Sequence, residues 1–297
     1  MSWRSWMAFA ALGIMWGVPY YLIKLAVQEL SPWVIAWGRV SLAACILLPI
    51  AWRRGALRSL GRHKLALFAF ALLEFVIPLS VIALGEQWIS SSITGILIAT
   101  VPLWVILLSR FFGVHEPVGA WRLAGLALGF IGVVALLGLG TISGALGWAG
   151  VACMLAASVG YAIGPLIIQR HLDRLDAFGP LAASLLIASI VLLIPAVLAM
   201  PGQMPTAVTL ASVAILGIVC TAMAMLLMFY LVSNAGASRA SLITYVNPAV
   251  ATLLGVWLLH EHLGLGGTTA FALILLGSWL ATRGARQRSN RTRAALT

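Results

Sequence analysis

The sequence has few charged residues, and acidic residues are the scarcest of them. Only 8% of its 297 residues are charged, and seven are Asp or Glu. A soluble domain carries roughly 25% charged residues to cover a surface that faces water. Hydrophobic residues make up 62% of the chain, and its mean hydropathy is +1.08. These proportions exclude an ordinary soluble protein and indicate that lipid surrounds most of the chain.

Several motifs of other protein classes are also missing. The three cysteines fall inside apolar stretches, so neither a disulfide framework nor a cysteine metal site is expected. The histidines lie in loops or at the ends of apolar stretches and show no HExxH spacing, which argues against a metal. Neither GxxxxGK[ST] nor GxSxG occurs, which disfavours ATP hydrolysis and an intramembrane enzyme. We therefore expect no cofactor, no metal and no enzymatic activity.

Long apolar stretches dominate what remains. A helix needs about 20 mostly apolar residues to cross a bilayer. Ten stretches qualify, at about 6–25, 33–52, 64–84, 92–111, 121–138, 145–168, 179–200, 207–230, 240–259 and 266–282. No cleavable signal peptide is evident, because the first stretch is long enough to span and others follow it. The sequence predicts an all-α integral membrane protein with ten transmembrane helices.

The basic residues give the chain a net charge of +11. They lie in short clusters between apolar stretches rather than along one face, so nucleic acid is not an expected partner. With the N-terminus in the cytoplasm, every Lys and Arg except Lys24 and Arg39 falls on the inner side. This bias predicts a multi-pass protein of the inner (plasma) membrane with both termini cytoplasmic. Residues 283–297 are predicted to form a disordered basic cytoplasmic tail.

Two halves of the chain, residues 1–140 and 141–282, carry the same landmarks in the same order. The landmarks are Pro102, Glu116 and Gly132 in the first half, and Pro248, Glu261 and Gly277 in the second. The spacing from Glu to Gly is sixteen residues in both halves. Because five helices separate equivalent positions, the halves are predicted to be inverted repeats, an architecture typical of secondary transporters.

These residues also carry a family resemblance. Trp16-Gly17, Lys24, Ser31-Pro32 and Arg39 resemble the opening of an EamA-type domain of the drug/metabolite transporter superfamily, as does the segment 91–132. The second half resembles that domain less fully. The resemblance implies two EamA-like five-helix repeats and a central substrate cavity lined mainly by helices 1, 3, 4, 6, 8 and 9. Known members are mostly exporters or exchangers of small metabolites, including amino acids.

Glu74 is the predicted centre of the site. The third helix begins near Lys64, so ten residues at 1.5 Å each place Glu74 roughly 15 Å deep, near the midplane. A charge at that depth is costly and by default functional. Three roles stay open: binding an amine-bearing substrate, carrying a coupling proton, or a protonated carboxyl hydrogen-bonded to a neighbouring helix.

Six further residues are predicted to line the substrate site: Trp16, Tyr20, Trp104, Tyr161, Tyr245 and Asn247. They fall in the central half of the bilayer on helices expected to face the cavity. Aromatic walls beside a carboxylate suit an ammonium group through cation–π contact. Helix packing or lipid contact is the open alternative for each aromatic residue.

Four prolines inside the predicted spans are expected to kink them: Pro78, Pro102, Pro165 and Pro248. A kink frees a carbonyl group for substrate or water and helps a helix bend between states. Packing alone is the other explanation for each proline.

The remaining charges receive lesser roles. Arg39 either attracts an anionic group or ties helices together. Lys24 and Glu29 are predicted to be rim charges. Glu116 and Glu261 stand in the turns before the fifth and tenth helices, where we expect each carboxylate to cap the helix that follows.

Together these features predict a secondary transporter that exports small metabolites, namely amino acids, amines or related amphipathic compounds, by alternating access. The expected partners are a small-molecule substrate and the lipid bilayer, with monomer and homodimer both open. The alternative is an uptake carrier or exchanger for a metabolite or quaternary amine. A flippase for a lipid-linked intermediate is less favoured.

Overall fold

The computed structural model describes residues 3–113, 119–138, 142, 144–235 and 243–294, with the side chains of 122, 137–138, 232–233, 235, 244–245 and 281–294 left out. Over these ranges the chain is helical with connecting turns, and no strand occurs in them. The protein is therefore all-α as far as the structure describes it, as the sequence predicts.

Apolar helices follow one another along the chain. They are α1 (Trp3–Ala26), α2 (Pro32–Arg53), α3 (Lys64–Gly85), α4 (Ser91–Ser109), α5 (Ala120–Gly138), α6 (Gly144–Leu172), α7 (Phe178–Leu198), α8 (Ala207–Leu231, its last turn reaching Ala235), α9 (Ile243–Leu258) and α10 (Gly264–Ala294). Among the described residues, seven of them are long and apolar enough to cross a membrane. The apolar parts of α5, α9 and α10 are shorter, so ten membrane crossings stay a prediction.

The last helix reaches into the basic segment at the end of the chain. The helical backbone of α10 continues through Ala294, and the disorder expected from residue 283 stays a prediction. The segment contains several Ala, Arg and Gln residues, which are good helix formers. It also extends a helix that has already formed, so it does not bear the cost of nucleation.

Polar residues and prolines mark where the helices begin. Ser31 accepts a hydrogen bond from the Val34 N–H at 3.4 Å, and Pro32 is the first helical residue of α2. Ser90 and Thr206 cap α4 and α8 in the same way. A helix start leaves backbone N–H groups unpaired, and these side-chain oxygens bind one of them.

Three helices each contain a locally widened turn. Wide π-helical turns lie at Ala71–Val76 in α3, Ile168–Leu172 in α6 and Ile218–Met223 in α8. Such turns are frequently found at functional sites. Pro78 follows the turn in α3 and Pro165 precedes the one in α6, so both prolines lie next to an irregular turn.

The other two prolines differ from each other. Pro102 follows a break at residues 99–100 that divides α4 into two helical pieces. Pro248 lies inside α9, which continues as a helix through it. Three of the four prolines therefore lie next to a helix irregularity, and the kinks expected at all four stay a prediction.

Helices that occupy equivalent places in the two predicted halves pack against each other. α2 lies on α7, α4 on α9 and α5 on α10, while α3 packs on α6 and α1 on both α8 and α9. The backbones of α5 and α10 approach each other closely. A Cβ atom added at Gly277 would meet the backbone of Gly129 and the carbonyl oxygen of Gly125, and one added at Gly132 would meet Ile274. Glycine at these positions lets the two backbones touch.

This contact predicts a destabilising substitution. Gly277→Ala inserts a methyl group against the Gly129 backbone, which has no flexible end that could move aside, so overpacking is expected to cost about 1–3 kcal/mol. Thermal unfolding of the purified protein in detergent measures the effect. The matched control is Gly202→Ala in the loop after α7, where no atom lies within 4 Å of the added carbon. Equal unfolding temperatures for the two variants would contradict the prediction.

Candidate functional site

A cavity of about 310 Å³ lies in the middle of the bundle. Seven helices contribute to its wall: Trp16, Pro19, Tyr20 and Ile23 of α1, Arg39 of α2, Glu74, Phe75, Leu79 and Ile82 of α3, Ile98 and Val101 of α4, Tyr161 and Pro165 of α6, Cys220, Thr221, Met225 and Met228 of α8, and Asn247 and Pro248 of α9. The six helices implied by the family resemblance all contribute, and α2 adds Arg39. The wall is mostly apolar, with a few polar side chains that converge on it.

Five of the seven residues predicted to form the site meet in this cavity: Glu74, Trp16, Tyr20, Tyr161 and Asn247. They come from α1, α3, α6 and α9, and their positions along the chain differ by up to 231 residues. These residues were predicted from their depth, counted from the ends of the apolar stretches, and the structure places all five at one cavity. Pro165 and Pro248 also line the cavity.

Trp104 does not line the cavity. Its ring stands edge-to-face on Phe130 of α5, with the ring centres 5.6 Å apart. Its position beside Pro102 indicates depth in the membrane, but depth does not determine which face of α4 carries the ring. Tyr245 belongs to α9, but its side chain is not among those that the structure describes.

Glu74 projects from the wide turn of α3 towards α6. Its side chain is half-buried, and its Oε2 atom has no hydrogen-bond partner among the described residues. Gly164 makes room for it, since a Cβ atom at that position would overlap the carboxylate. The structure thus holds an acidic group against a small residue of the opposite half, at the wall of a cavity.

Arg39 brings the opposite charge to the same cavity. Its Nε–H donates to the Thr221 hydroxyl at 2.8 Å, and that hydroxyl donates to the Leu216 carbonyl at 2.9 Å. Thr221 lies in the wide turn of α8. A wide turn can leave a backbone carbonyl group, here that of Leu216, available to a side-chain donor. Arg39 therefore ties α2 to α8 and also lines the cavity, and its attraction for an anionic group stays a prediction.

Polar links join the helices at one end of the bundle, where α1 ends and α8 begins; we call it the Glu29 end. The Lys24 ammonium donates to the carbonyl oxygens of Glu86 and Ile89, the latter at 2.8 Å. The Glu29 carboxylate accepts hydrogen bonds from the Thr206 N–H at 2.7 Å and hydroxyl at 2.8 Å. Both residues were predicted to be rim charges, and both connect separate segments of the chain.

Glu261 caps a different helix from the one predicted. Its carboxylate accepts the backbone N–H groups of Ser91 and Ser92 at 2.7 and 2.8 Å, together with both hydroxyls, at the start of α4. Gly255 leaves space for this contact. The expectation that Glu261 caps α10 is wrong because spatial proximity, not sequence order, decides which free N–H groups a carboxylate reaches. Its counterpart Glu116 lies outside the described residues.

Sequence reasoning missed Glu86 altogether. It follows the last residue of α3, where a carboxylate is expected to face water, yet the side chain is fully buried. Neither carboxylate oxygen has a hydrogen-bond partner in the part of the chain that the structure describes. Its spacing of twelve residues from Glu74 gave no signal, because that spacing places the two side chains roughly 120° apart around a regular helix.

Comparison with known proteins identifies the family of this chain. The model of the EamA-like transporter family matches residues 3–138 and again 148–283. The uncharacterized inner membrane transporter YedA of Escherichia coli K12 is 31% identical over 286 residues, which are 92% of this chain and 85% of YedA. An uncharacterized transporter of Archaeoglobus fulgidus is 26% identical over 94% of this chain and 99% of its own length. A solved crystal structure with 19% identity matches 97% of this chain and 99% of its own, with a TM-score of 0.68, so the two share the fold.

The Glu29 link predicts a pH-dependent contribution to stability. Hydrogen bonds from the Thr206 backbone and then from its hydroxyl hold the pKa of Glu29 below its ordinary value of 4.5. A lowered pKa stabilises the folded state above the unfolded pKa, and this contribution is lost as the pH falls through the folded pKa. Glu29→Ala should therefore lower the unfolding temperature at neutral pH and have no effect well below pH 4.5.

The neighbouring exposed residue gives the control for that experiment. Gln28→Ala removes a side chain of similar length that does not titrate, so its effect should not change with pH. A difference between wild type and Glu29→Ala that stays constant over the whole pH range would contradict the prediction.

Proposed function

The chain belongs to the EamA-like transporter family, and we propose that it is a secondary active transporter that exports small metabolites across the inner membrane. Family membership identifies it as a membrane transporter rather than an enzyme. The proposed substrates are amino acids, amines or related amphipathic compounds. The volume of the cavity, about 310 Å³, is at the lower limit of the range of roughly 300–1,000 Å³ typical of small-molecule sites.

The observation that carries this proposal is the half-buried carboxylate of Glu74 in a cavity walled by Trp16, Tyr20 and Tyr161. Aromatic faces attract an ammonium group, and a carboxylate can bind it directly. The same carboxylate is placed to exchange a proton with water in the cavity. In either role Glu74 takes part in transport. The liposome experiment below distinguishes substrate binding from proton exchange.

The proposed mechanism is alternating access between two inverted repeats of five transmembrane helices, residues 1–140 and 141–282. Two matches of one family model within the chain support a repeat. Contacts between equivalent helices, α2 with α7 and α5 with α10, support a twofold relation of the halves. In such transporters the two halves exchange conformations about a fixed central site.

Transport by liposomes containing the purified protein tests the role of Glu74. Radiolabelled amino acids and amines are screened with an imposed pH gradient, and wild type is compared with Glu74→Gln. We expect the substitution to reduce transport at least about tenfold, since a hydrogen bond to a charged group contributes about 1.5–3 kcal/mol. If Glu74 carries the coupling proton, exchange of substrate across the membrane survives in Glu74→Gln while the response to the pH gradient is lost.

The control variant is Glu29→Gln, which makes the same chemical change on the exposed rim and should transport as wild type does at neutral pH. Unchanged, pH-responsive transport by Glu74→Gln would remove Glu74 from both roles.

The alternative function is an uptake carrier or exchanger for a metabolite or quaternary amine, and it shares the cavity described above. Substrate efflux from preloaded cells, compared with uptake by cells that lack an internal pool, distinguishes it from export. A flippase for a lipid-linked intermediate has less support, because the cavity wall carries the acidic Glu74 as well as the basic Arg39.

The proposed orientation places both termini in the cytoplasm and the Glu29 end of the bundle outside. It follows from the positions of the basic residues, of which only Lys24 and Arg39 would then lie in the outer half. A green fluorescent protein fused after Thr297 should therefore fluoresce in bacterial cells, and alkaline phosphatase fused there should be inactive. The reverse pair of results would contradict the orientation. As a control, each reporter fused after Gly202, in the loop after α7, should give the opposite result.

A further inference from the structure

Glu86 lies directly beyond the cavity on the wall that α3 contributes. That wall carries Glu74, Phe75, Leu79 and Ile82, in order towards the Glu29 end. Glu86 comes four residues after Ile82, and its backbone N–H donates to the Ile82 carbonyl at 2.9 Å, so the helical spacing continues to it. Residues four apart share one face of a helix. Glu86 is therefore the next side chain in the row that lines the cavity.

The carboxylate of Glu86 is enclosed and unpaired. The residue has 0% of its surface exposed, and both carboxylate oxygens lack a hydrogen-bond partner among the described residues. An ionised carboxylate in such a place is strongly disfavoured unless it is paired, and a neutral carboxyl group is disfavoured much less. This environment favours the protonated form.

The charged and titratable groups around Glu86 come from three elements besides its own. Lys24 and Tyr20 reach it from α1, and Glu261 lies near it from the loop before α10. Cys153 of α6 contacts the neighbouring Gly85. Lys24 donates its hydrogen bonds to backbone carbonyl groups, and Glu261 is bound to Ser91 and Ser92. None of these groups gives the Glu86 carboxylate a hydrogen bond.

The electrostatic balance agrees with this geometry. Burial raises the pKa of Glu86 well above its ordinary value of 4.5. The Lys24 ammonium opposes the shift, and the Glu261 carboxylate adds to it. Opening of the Glu29 end to water would remove the burial and leave Lys24 as the nearest cation, which favours the ionised form.

We propose that Glu86 is a second proton-binding site of the transport path, located between the cavity and the Glu29 end of the bundle. It holds a proton while that end is closed, as it is here. When the end opens, the O–H bond of the carboxyl group breaks, the proton passes to water, and the carboxylate that remains faces Lys24. The proposal rests on the proposed function, since it takes this cavity as the path of transport.

Two acidic groups on one helix would then serve opposite parts of the path. Twelve residues separate Glu74 from Glu86, which corresponds to roughly 18 Å along α3. Tyr20 connects their surroundings, because it lines the cavity beside Glu74 and interacts with Glu86. Glu74 lies at the substrate, whereas Glu86 exchanges its proton only with the side of the membrane that the Glu29 end faces.

Infrared spectroscopy of the purified chain in lipid nanodiscs tests the proposal with the proton itself as probe. A protonated carboxyl group shows a C=O stretching band that a carboxylate lacks. We expect wild type to show such a band at neutral pH and Glu86→Gln to lose one component of it. Glu29→Gln, which changes an exposed carboxylate in the same way, should lose none. A Glu86→Gln spectrum identical to that of wild type in this region would overturn the proposal.

A second variant covers the case in which Glu86→Gln does not fold. Lys24→Met removes the cation that opposes protonation while the Glu86 carboxyl group stays, so the band should persist to higher pH than in wild type. A band that titrates at the same pH in both would overturn the proposal. These spectra require neither a substrate nor transport, so they remain informative if the liposomes show no transport. Conversely, the effect of Glu74→Gln on transport can be measured even if Glu86 proves to be ionised.

Discussion

The structure depends on the cost of placing a carboxylate where water is scarce. An acid that faces lipid is strongly disfavoured, so an acidic side chain within a bundle of apolar helices must meet a cavity, a cation or a row of N–H groups. Three solutions appear here. Glu74 faces a cavity, Glu261 receives the N–H groups at the start of α4, and Glu86 is enclosed beside Lys24. The helices are arranged so that each of the three environments exists.

The same constraint explains why the helices are irregular where they are. Glu74 and Thr221 both lie in wide turns, one in α3 and one in α8, and these helices occupy equivalent places in the two predicted halves. A wide turn leaves backbone groups without their usual partner, as the bond from Thr221 to the Leu216 carbonyl shows. Local departures from the ideal helix thus bring polar atoms to the cavity without any need for a loop inside the membrane.

Much of this arrangement could be predicted from the sequence, because depth in a membrane follows from counting residues. Counting placed Glu74, Trp16, Tyr161 and Asn247 in the central layer, and the structure brings them to one cavity. Counting does not determine which face of a helix a residue occupies, so Trp104 was predicted to line the cavity, whereas its ring packs on Phe130. Contacts between distant segments were equally beyond reach: the sequence holds no sign that Glu261 meets Ser91, or that the residue after α3 is enclosed.

The glycine contact between α5 and α10 has a consequence for how such a chain diversifies. None of the described residues of these two helices lines the cavity, and their contact depends on the absence of side chains rather than on particular ones. The contact between α5 and α10 and the wall of the cavity are therefore built from separate sets of residues. Substitutions can accumulate along the cavity wall and change which molecules fit there, while the glycine contact keeps α5 and α10 packed together.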